Sequence, residues 1–291
     1  MPDIVLLQAL RTYQWIKNLF IFAPLLFSQN LTNGPLVLVS LRAFAAFCMI
    51  SSAQYIFNDI RDLEEDRAHP VKSRRPLASG RMKTGSAIAL LIGMGTGGIL
   101  IAATINLPFL LITAGYFILQ VLYTLWLKHV VILDVFIIAA GFLIRVIAGG
   151  LAIGVEISSW LLICTILLSL FLALGKRRYE LVLLDQNASQ HRPILKEYNP
   201  YLLDQMISVV TASTFVAYCL YTISDETVEK FGTKNLIFTV PFVLYGIFRY
   251  LYLIHQKAEG GTPEALVLKD KPLLIDIFLW VVTAALILQM R

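Results

Sequence analysis

The sequence predicts an all-α protein, a polytopic membrane helical bundle of about nine transmembrane helices with its long polar loops on the cytoplasmic side. Three observations predict it. The 291-residue chain is 58% hydrophobic and 15% charged, with a mean hydropathy of +0.74, whereas soluble domains are about a quarter charged. Apolar runs near the roughly 20 residues that cross a bilayer recur along its length. Lysine and arginine gather in alternate connections, as the positive-inside rule requires. No polar linker divides the chain, so residues 1–291 read as one transmembrane domain.

The first candidate span, around Trp15–Leu31, is the least regular, because Lys17 and Pro24 interrupt it and a tilt or kink is expected. Eight cleaner ones follow: Leu36–Phe57, Gly85–Ala103, Leu107–Leu127, Val130–Ile153, Trp160–Gly175, Met206–Ile223, Leu236–Ile254 and Leu273–Met290. The stretch "GMGTGG" puts Gly93, Gly95 and Gly98 at GxGxxG spacing, but a dinucleotide site needs a strand before it and a helix start after it. Inside an apolar run, small residues that let helices approach closely are the better reading. Cys48, Cys164 and Cys219 are odd in number and isolated in apolar runs, which excludes a disulfide framework.

With the N-terminus in the cytoplasm, that side holds Arg11, Lys17, seven basic residues from Arg61 to Lys83, Lys128, Lys176–Arg178, Arg192, Lys196, Lys257, Lys269 and Lys271. The other side holds Arg42, Lys230, Lys234 and Arg291. This orientation in the inner (plasma) membrane puts the two longest polar loops, Asn58–Thr84 and Lys176–Gln205, on the cytoplasmic face.

The first of these loops carries the chemistry. It opens Asn58-Asp59-x-x-Asp62-x-x-x-Asp66. On a continuous α-helix, offsets of three and seven return to one face, and like charges there are destabilising. The bland alternative is a solvated loop in which Arg61 and Arg67 offset the acids. A divalent ion explains better why the acids line one stripe at a span's end. Mg²⁺ takes oxygen ligands and is held by a few carboxylates together with substrate phosphates, while the lack of a nearby Cys or His pair argues against zinc. Asn58 would orient a carboxylate or touch phosphate. Downstream, Lys72, Arg74 and Arg75 suit phosphate oxygens, whereas Arg81 and Lys83 are accounted for by topology. Carboxylates for Mg²⁺ followed by cations for phosphate make a diphosphate site.

Other polar residues are candidates by depth. Lys17 lies near the membrane boundary beside Gln14, Trp15 and Asn18, where a lipid phosphate would sit. Asp134 and Arg145 fall inside one span, eleven residues and about 16 Å apart on one face. Ionisable residues there are expensive and often functional, although a structural interhelix pair is an equal reading. Tyr123 and Lys128 border the same mouth. A transporter would keep its charges at mid-membrane, and only Asp134 and Arg145 serve that alternative.

The motif NDxxDxxxD at the end of the second span resembles that of the UbiA superfamily of membrane transferases. "RTYQWIKNLFIFAPLLFS", "NDIRDLEEDRAHPVKSRRPLASG", "LKHVVILDVFIIAAGFLIRVIAGG" and "LGKRRYELVLL" look like its phosphoribosyl-transferring branch, and "PFVLYGIFRYLYLI" and "EALVLKDKPLL" also fit. The resemblance implies phosphoribosyl pyrophosphate as donor, a polyprenyl phosphate as acceptor, Mg²⁺ on Asp59, Asp62 and Asp66, and a product that feeds arabinose donors for cell-wall polymers. It implies no nucleic-acid partner. The alternative is an isoprenyl transferase with an aromatic acceptor. Many superfamily members carry a second motif, DxxxD, after the sixth span. Here that loop opens "GKRRYELVLLDQ", with Glu180 followed only by Asp185, so a second all-carboxylate metal site is not expected. Lys176, Arg177 and Arg178 would instead suit the 5-phosphate that isoprenyl diphosphates lack.

Overall fold

The structure, a computed structural model, describes residues 2–68, 71–184, 193–257, 266–267 and 269–289. It is all-α, with no strand among the described residues. The chain forms two compact units, Met1–Ile157 and Ser158–Arg291. Among the described residues eight helices are long and apolar enough to cross a membrane, and the protein is a multi-pass membrane protein.

The first unit runs α1 (Pro2–Leu10), a 3₁₀ helix (Thr12–Phe22), α2 (Ala23–Phe27), α3 (Gly34–Arg61), α4 (Leu63–Ala68), a 3₁₀ turn (Lys72–Arg74), α5 (Thr84–Ala103), α6 (Leu107–Leu125), a 3₁₀ turn (Leu127–His129) and α7 (Leu133–Ile153). Asparagine caps set two of the starts. Asn33 accepts from the Leu36 N–H at 3.4 Å and Asn106 from the Phe109 N–H at 2.8 Å, each with proline in the first turn. α7 stops at Gly154, whose φ of 67° is the left-handed cap that glycine tolerates.

α3 and α7 are the inner helices, with 50% of their apolar windows buried, against 17% for α5 and 22% for α6. Ala43, Ala46, Phe47 and Ile50 of α3 form the core with Ile21, Leu25, Phe109, Tyr116, Ala148 and Ala152. Of the glycines in "GMGTGG", Gly97 and Gly98 make the close approaches: a Cβ would lie 2.3 Å from the flexible Met49 tip and 2.7 Å from Ile50, respectively, while one at Gly93 would meet nothing within 4 Å.

The expected first span differs from a regular helix. Its residues form the 3₁₀ helix and the five-residue α2, not a continuous α-helix. Pro24 cannot donate to an α-helical ladder, and the tighter winding stretches eleven residues over about 22 Å. Its backbone packs directly on α7, since a Cβ on Gly149 would fall 2.1 Å from the Ile21 carbonyl oxygen. Among the described residues the nine expected helices are therefore eight continuous spans and this broken segment.

The second unit comprises α8 (Ser159–Leu184), a 3₁₀ turn (Pro193–Glu197), α9 (Pro200–Ile223), α10 (Asp225–Phe231), a 3₁₀ turn (Asn235–Thr239), α11 (Val240–Gln256) and α12 (Lys271–Gln289). α8 continues past Gly175, so Lys176–Glu180 is helical and not loop. α9 and α10 are capped by Asn199 and Ser224. A buried chain of hydrogen bonds, Trp280 to Tyr218 at 2.8 Å and Tyr218 with Thr239 at 2.7 Å, ties α12, α9 and the second 3₁₀ turn together. Asp270 caps α12 through the Leu273 N–H at 2.9 Å, and two hydrogen bonds from Arg249 hold its carboxyl below the usual range.

Candidate active site

The aspartate motif does not lie on one helix. α3 ends at Arg61 and the chain breaks at Asp62 (φ −97°, ψ 19°), whose N–H still bonds to the Asn58 carbonyl at 2.9 Å. The Asp66 N–H then bonds to the Asp62 carbonyl at 2.8 Å, inside the new short helix α4. The break sends the carboxylates two ways. Asp59 and Asp66 converge on one guanidinium, and Asp62 turns to a different cation.

Arg75 makes the convergence. Its Nη1 donates to Asp59 Oδ1 at 3.1 Å and also to Asp66 Oδ2. Arg11 Nη2 donates to the same Asp59 oxygen, with its guanidinium 5.0 Å from the centre of the Tyr55 ring. Lys72 Nζ stands 3.9 Å from Asp66 Oδ1, within ion-pair range but beyond hydrogen bonding. Lys128 Nζ binds both oxygens of Asp62 at 2.8 and 3.0 Å. Asp59 is 6% exposed and Asp66 1%. Carboxylates at that depth stay charged only when paired.

These donors fit a hard divalent ion. Asp59 and Asp66 both reach one point, Arg75 Nη1, and Asp66 Oδ1 is a buried acceptor with no hydrogen bond among the described residues. The donor set is all carboxylate oxygen, as Mg²⁺ prefers. Among the described residues no three acidic, His or Cys side chains stand together as a ready ligand set. Two protein carboxylates leave the remaining positions to water and phosphate.

The other predicted residues fall as follows. Asn58 is half-buried on the last turn of α3, and Arg74 is exposed. Arg81 pins the loop to α1, donating to Gln8 at 2.8 Å and to Ser79 at 3.0 Å. Lys17 is half-buried on the 3₁₀ helix, between the buried Gln14 and Asn18. Arg145 is 4% exposed and held by Asn18 Oδ1 and the Gly141 carbonyl, both at 2.7 Å, Tyr116 Oη at 2.6 Å and Ser51 Oγ at 3.4 Å. Asp134, in the first turn of α7, is fully buried.

In the second unit, Arg177 Nη1 bonds to Glu180 at 2.5 Å, one helical turn on. Arg178 bonds to Asp204 at 2.5 and 3.4 Å, and His255 approaches the same carboxylate at 3.2 Å. Lys176 is half-buried. Asp185 and Arg192 lie outside the described residues.

Sequence reasoning missed Arg11 as a site residue and missed Asp204 altogether. Arg11 carried a topological signal only, being one of several basic residues assigned to the cytoplasmic side. Nothing in its spacing points across 48 positions to Asp59.

A sequence model of the UbiA prenyltransferase family matches residues 19–282. The chain belongs to the UbiA prenyltransferase family. This UbiA protein is similar to the decaprenyl-phosphate phosphoribosyltransferase of Corynebacterium glutamicum, with 33% identity over 95% of this chain and 84% of that protein. A protein of the same name in Mycolicibacterium smegmatis is also 33% identical, over 96% of this chain and 90% of the relative. A UbiA homolog from Archaeoglobus fulgidus, solved bound to GPP and Mg²⁺, has the same fold: the TM-score is 0.74 at 19% identity, covering 98% of this chain and 99% of that one. The UbiA chain is thus an enzyme, a membrane transferase.

Proposed function

We propose that this UbiA protein is a pentosyltransferase. It moves 5-phosphoribose from phosphoribosyl pyrophosphate to a polyprenyl phosphate of the decaprenyl type, releases pyrophosphate, and depends on Mg²⁺. The observation that carries this reading is the 33% identity to proteins named for that activity, over nearly the whole chain. The family match spans both compact units, which supports one transferase domain over residues 1–291. The lysine and arginine distribution supports an active site on the cytoplasmic side of the plasma membrane.

The chemistry asks for a leaving diphosphate to be stabilised as its bond to ribose C1 breaks and a lipid phosphate oxygen bonds to C1. Asp59 and Asp66 would hold the metal directly or through water, and Asp62, held by Lys128, would contribute through water. Bound Mg²⁺ supplies charge neutralisation at the diphosphate oxygens. Arg75, Lys72 and Arg74 bind diphosphate oxygens, the guanidinium groups in bidentate fashion. Asn58 orients a neighbouring carboxylate. Lys128 holds Asp62 in place, and Lys17 meets a lipid phosphate at the membrane boundary. The acceptor is already an anion, so no general base is required. Lys176 and Arg177 are assigned to the donor's 5-phosphate on their positive charge, with Glu180 holding the Arg177 guanidinium in place. Arg145 spends four N–H donors on protein atoms, which supports a structural role ahead of substrate contact.

The test is an incubation of purified protein with Mg²⁺, labelled phosphoribosyl pyrophosphate and decaprenyl phosphate. A labelled lipid is expected. Turnover of a prenyl diphosphate with an aromatic acid, and no labelled lipid, overturns the proposal in favour of an isoprenyl transferase.

A further inference from the structure

The motif carboxylates of the first unit are not waiting for a metal: the protein neutralises each of them itself. Arg11 and Arg75 face Asp59, Arg75 and Lys72 face Asp66, and Lys128 faces Asp62. Four cations therefore meet three carboxylates, and the cluster carries a formal charge of +1. A free divalent ion approaches a positive cluster. To bind between Asp59 and Asp66 it must take the position of Arg75 Nη1, which reaches both.

The displaced guanidinium then needs a new partner. Arg75 is only 24% exposed, so water compensates it poorly. A diphosphate supplies acceptors that suit its planar fork. The reverse also holds: a diphosphate arriving without metal finds Arg75 committed to two carboxylates. Each ligand provides what binding of the other removes.

We propose that Arg75 is an exchange residue that couples the two ligands, so that a divalent metal and a diphosphate bind together and each binds weakly alone. Arg75 spans the carboxylates before either ligand binds and turns to the phosphate oxygens once both are bound. The inference rests on the metal–diphosphate reading of this site. Linkage makes the coupling reciprocal: whatever factor the metal adds to diphosphate affinity, the diphosphate adds to metal affinity. Couplings of this kind run from about 5- to 150-fold.

The test is equilibrium dialysis of the purified full chain with radiolabelled Mn²⁺ and radiolabelled inorganic pyrophosphate, each alone and both together. The soluble Mn²⁺–pyrophosphate complex equalises across the membrane, so excess label on the protein side reports binding. In the unmodified protein each ligand is expected to raise retention of the other about tenfold or more. Arg75→Gln is expected to bind Mn²⁺ alone more tightly and to lose most of the coupling. Arg75→Lys keeps the charge but not the fork, and substitutes if the glutamine variant does not fold; it is expected to show reduced coupling. Equal Mn²⁺ binding with and without pyrophosphate overturns the inference, as does full coupling in a folded Arg75 variant. No retention of either label under any condition instead overturns the metal–diphosphate reading itself.

Discussion

Lys128 Nζ lies 2.8 and 3.0 Å from the two carboxylate oxygens of Asp62, 66 positions away in the chain. The pair joins the break between α3 and α4 to the turn between α6 and α7, and each side chain is only 15% exposed. That burial makes it worth more than a surface ion pair. Asp62→Asn leaves Lys128 partly buried without its counter-charge, at a cost of about 1.5–3 kcal/mol. The variant is expected to fold, with a lowered melting temperature in detergent, and to lose phosphoribosyl transfer. Adding Lys128→Met removes the orphaned charge, so the double variant is expected to melt above the sum of the single losses. Retained transfer by Asp62→Asn would remove Asp62 from the metal assignment.

Arg11 tests whether the cations around Asp59 share one job. Its backbone sits at φ 50°, a left-handed conformation that costs a non-glycine residue about 1 kcal/mol, and the guanidinium it presents reaches Asp59 from outside the motif. Arg11→Gly relieves the backbone and deletes the ion pair, while Arg75 still satisfies Asp59. The fold is expected to persist. Activity is expected to fall by about 10- to 100-fold, the range seen when partners of metal-binding carboxylates are removed. A circular dichroism melt beside a transfer assay separates the two effects.

How much of this was legible follows from what each signal reports. Apolar runs report length, so the eight spans were readable, from Leu36–Phe57 inside α3 to the run from Leu273 whose described part lies in α12. Acid spacing reports local geometry, so the motif stood out, but "DLEED" carries no helix stop and the break at Asp62 was invisible. The broken first segment was foreseen only as a kink at Pro24, because nothing local encodes a 3₁₀ backbone seated on Gly149. The cation partners were the least readable. Arg177 and Glu180 meet one turn apart, but Arg11, Arg75 and Lys128 reach their acids across 48, 16 and 66 positions. Such pairings exist only once helices are packed.

The glycines give a packing prediction with an internal control. A Cβ on Gly149 meets the Ile21 carbonyl oxygen at 2.1 Å and backbone carbon at 2.9 Å, so a rigid main chain would have to move. Gly149→Ala is expected to destabilise by about 1–3 kcal/mol, as overpacking does. Gly93 is also helical, but its added Cβ meets nothing within 4 Å. Gly93→Ala is expected to be neutral or to stabilise by up to about 1 kcal/mol through helix propensity. Thermal melts of the two variants in one detergent decide it. Equal destabilisation would mean that α7 does not seat on the 3₁₀ helix as described.

Arg145 gives the last prediction, because its partners are all neutral. Asn18, Ser51, Tyr116 and the Gly141 carbonyl take four hydrogen bonds from one guanidinium, and its carbon lies 4.8 Å from the centre of the Tyr116 ring. The side chain thereby joins the 3₁₀ helix, α3, α6 and α7 at a single point. Lysine keeps the charge but has three donors and no planar fork, so it cannot reproduce this set. Arg145→Lys is expected to lower stability by about 1–3 kcal/mol, the cost of leaving buried acceptors unmet. If the role is structural, the folded fraction keeps the unmodified KM for phosphoribosyl pyrophosphate and loses only melting temperature. If Arg145 instead contacts the donor, KM rises in a protein whose melt is unchanged. Measuring both on the same preparation separates a helix clasp from a phosphate ligand.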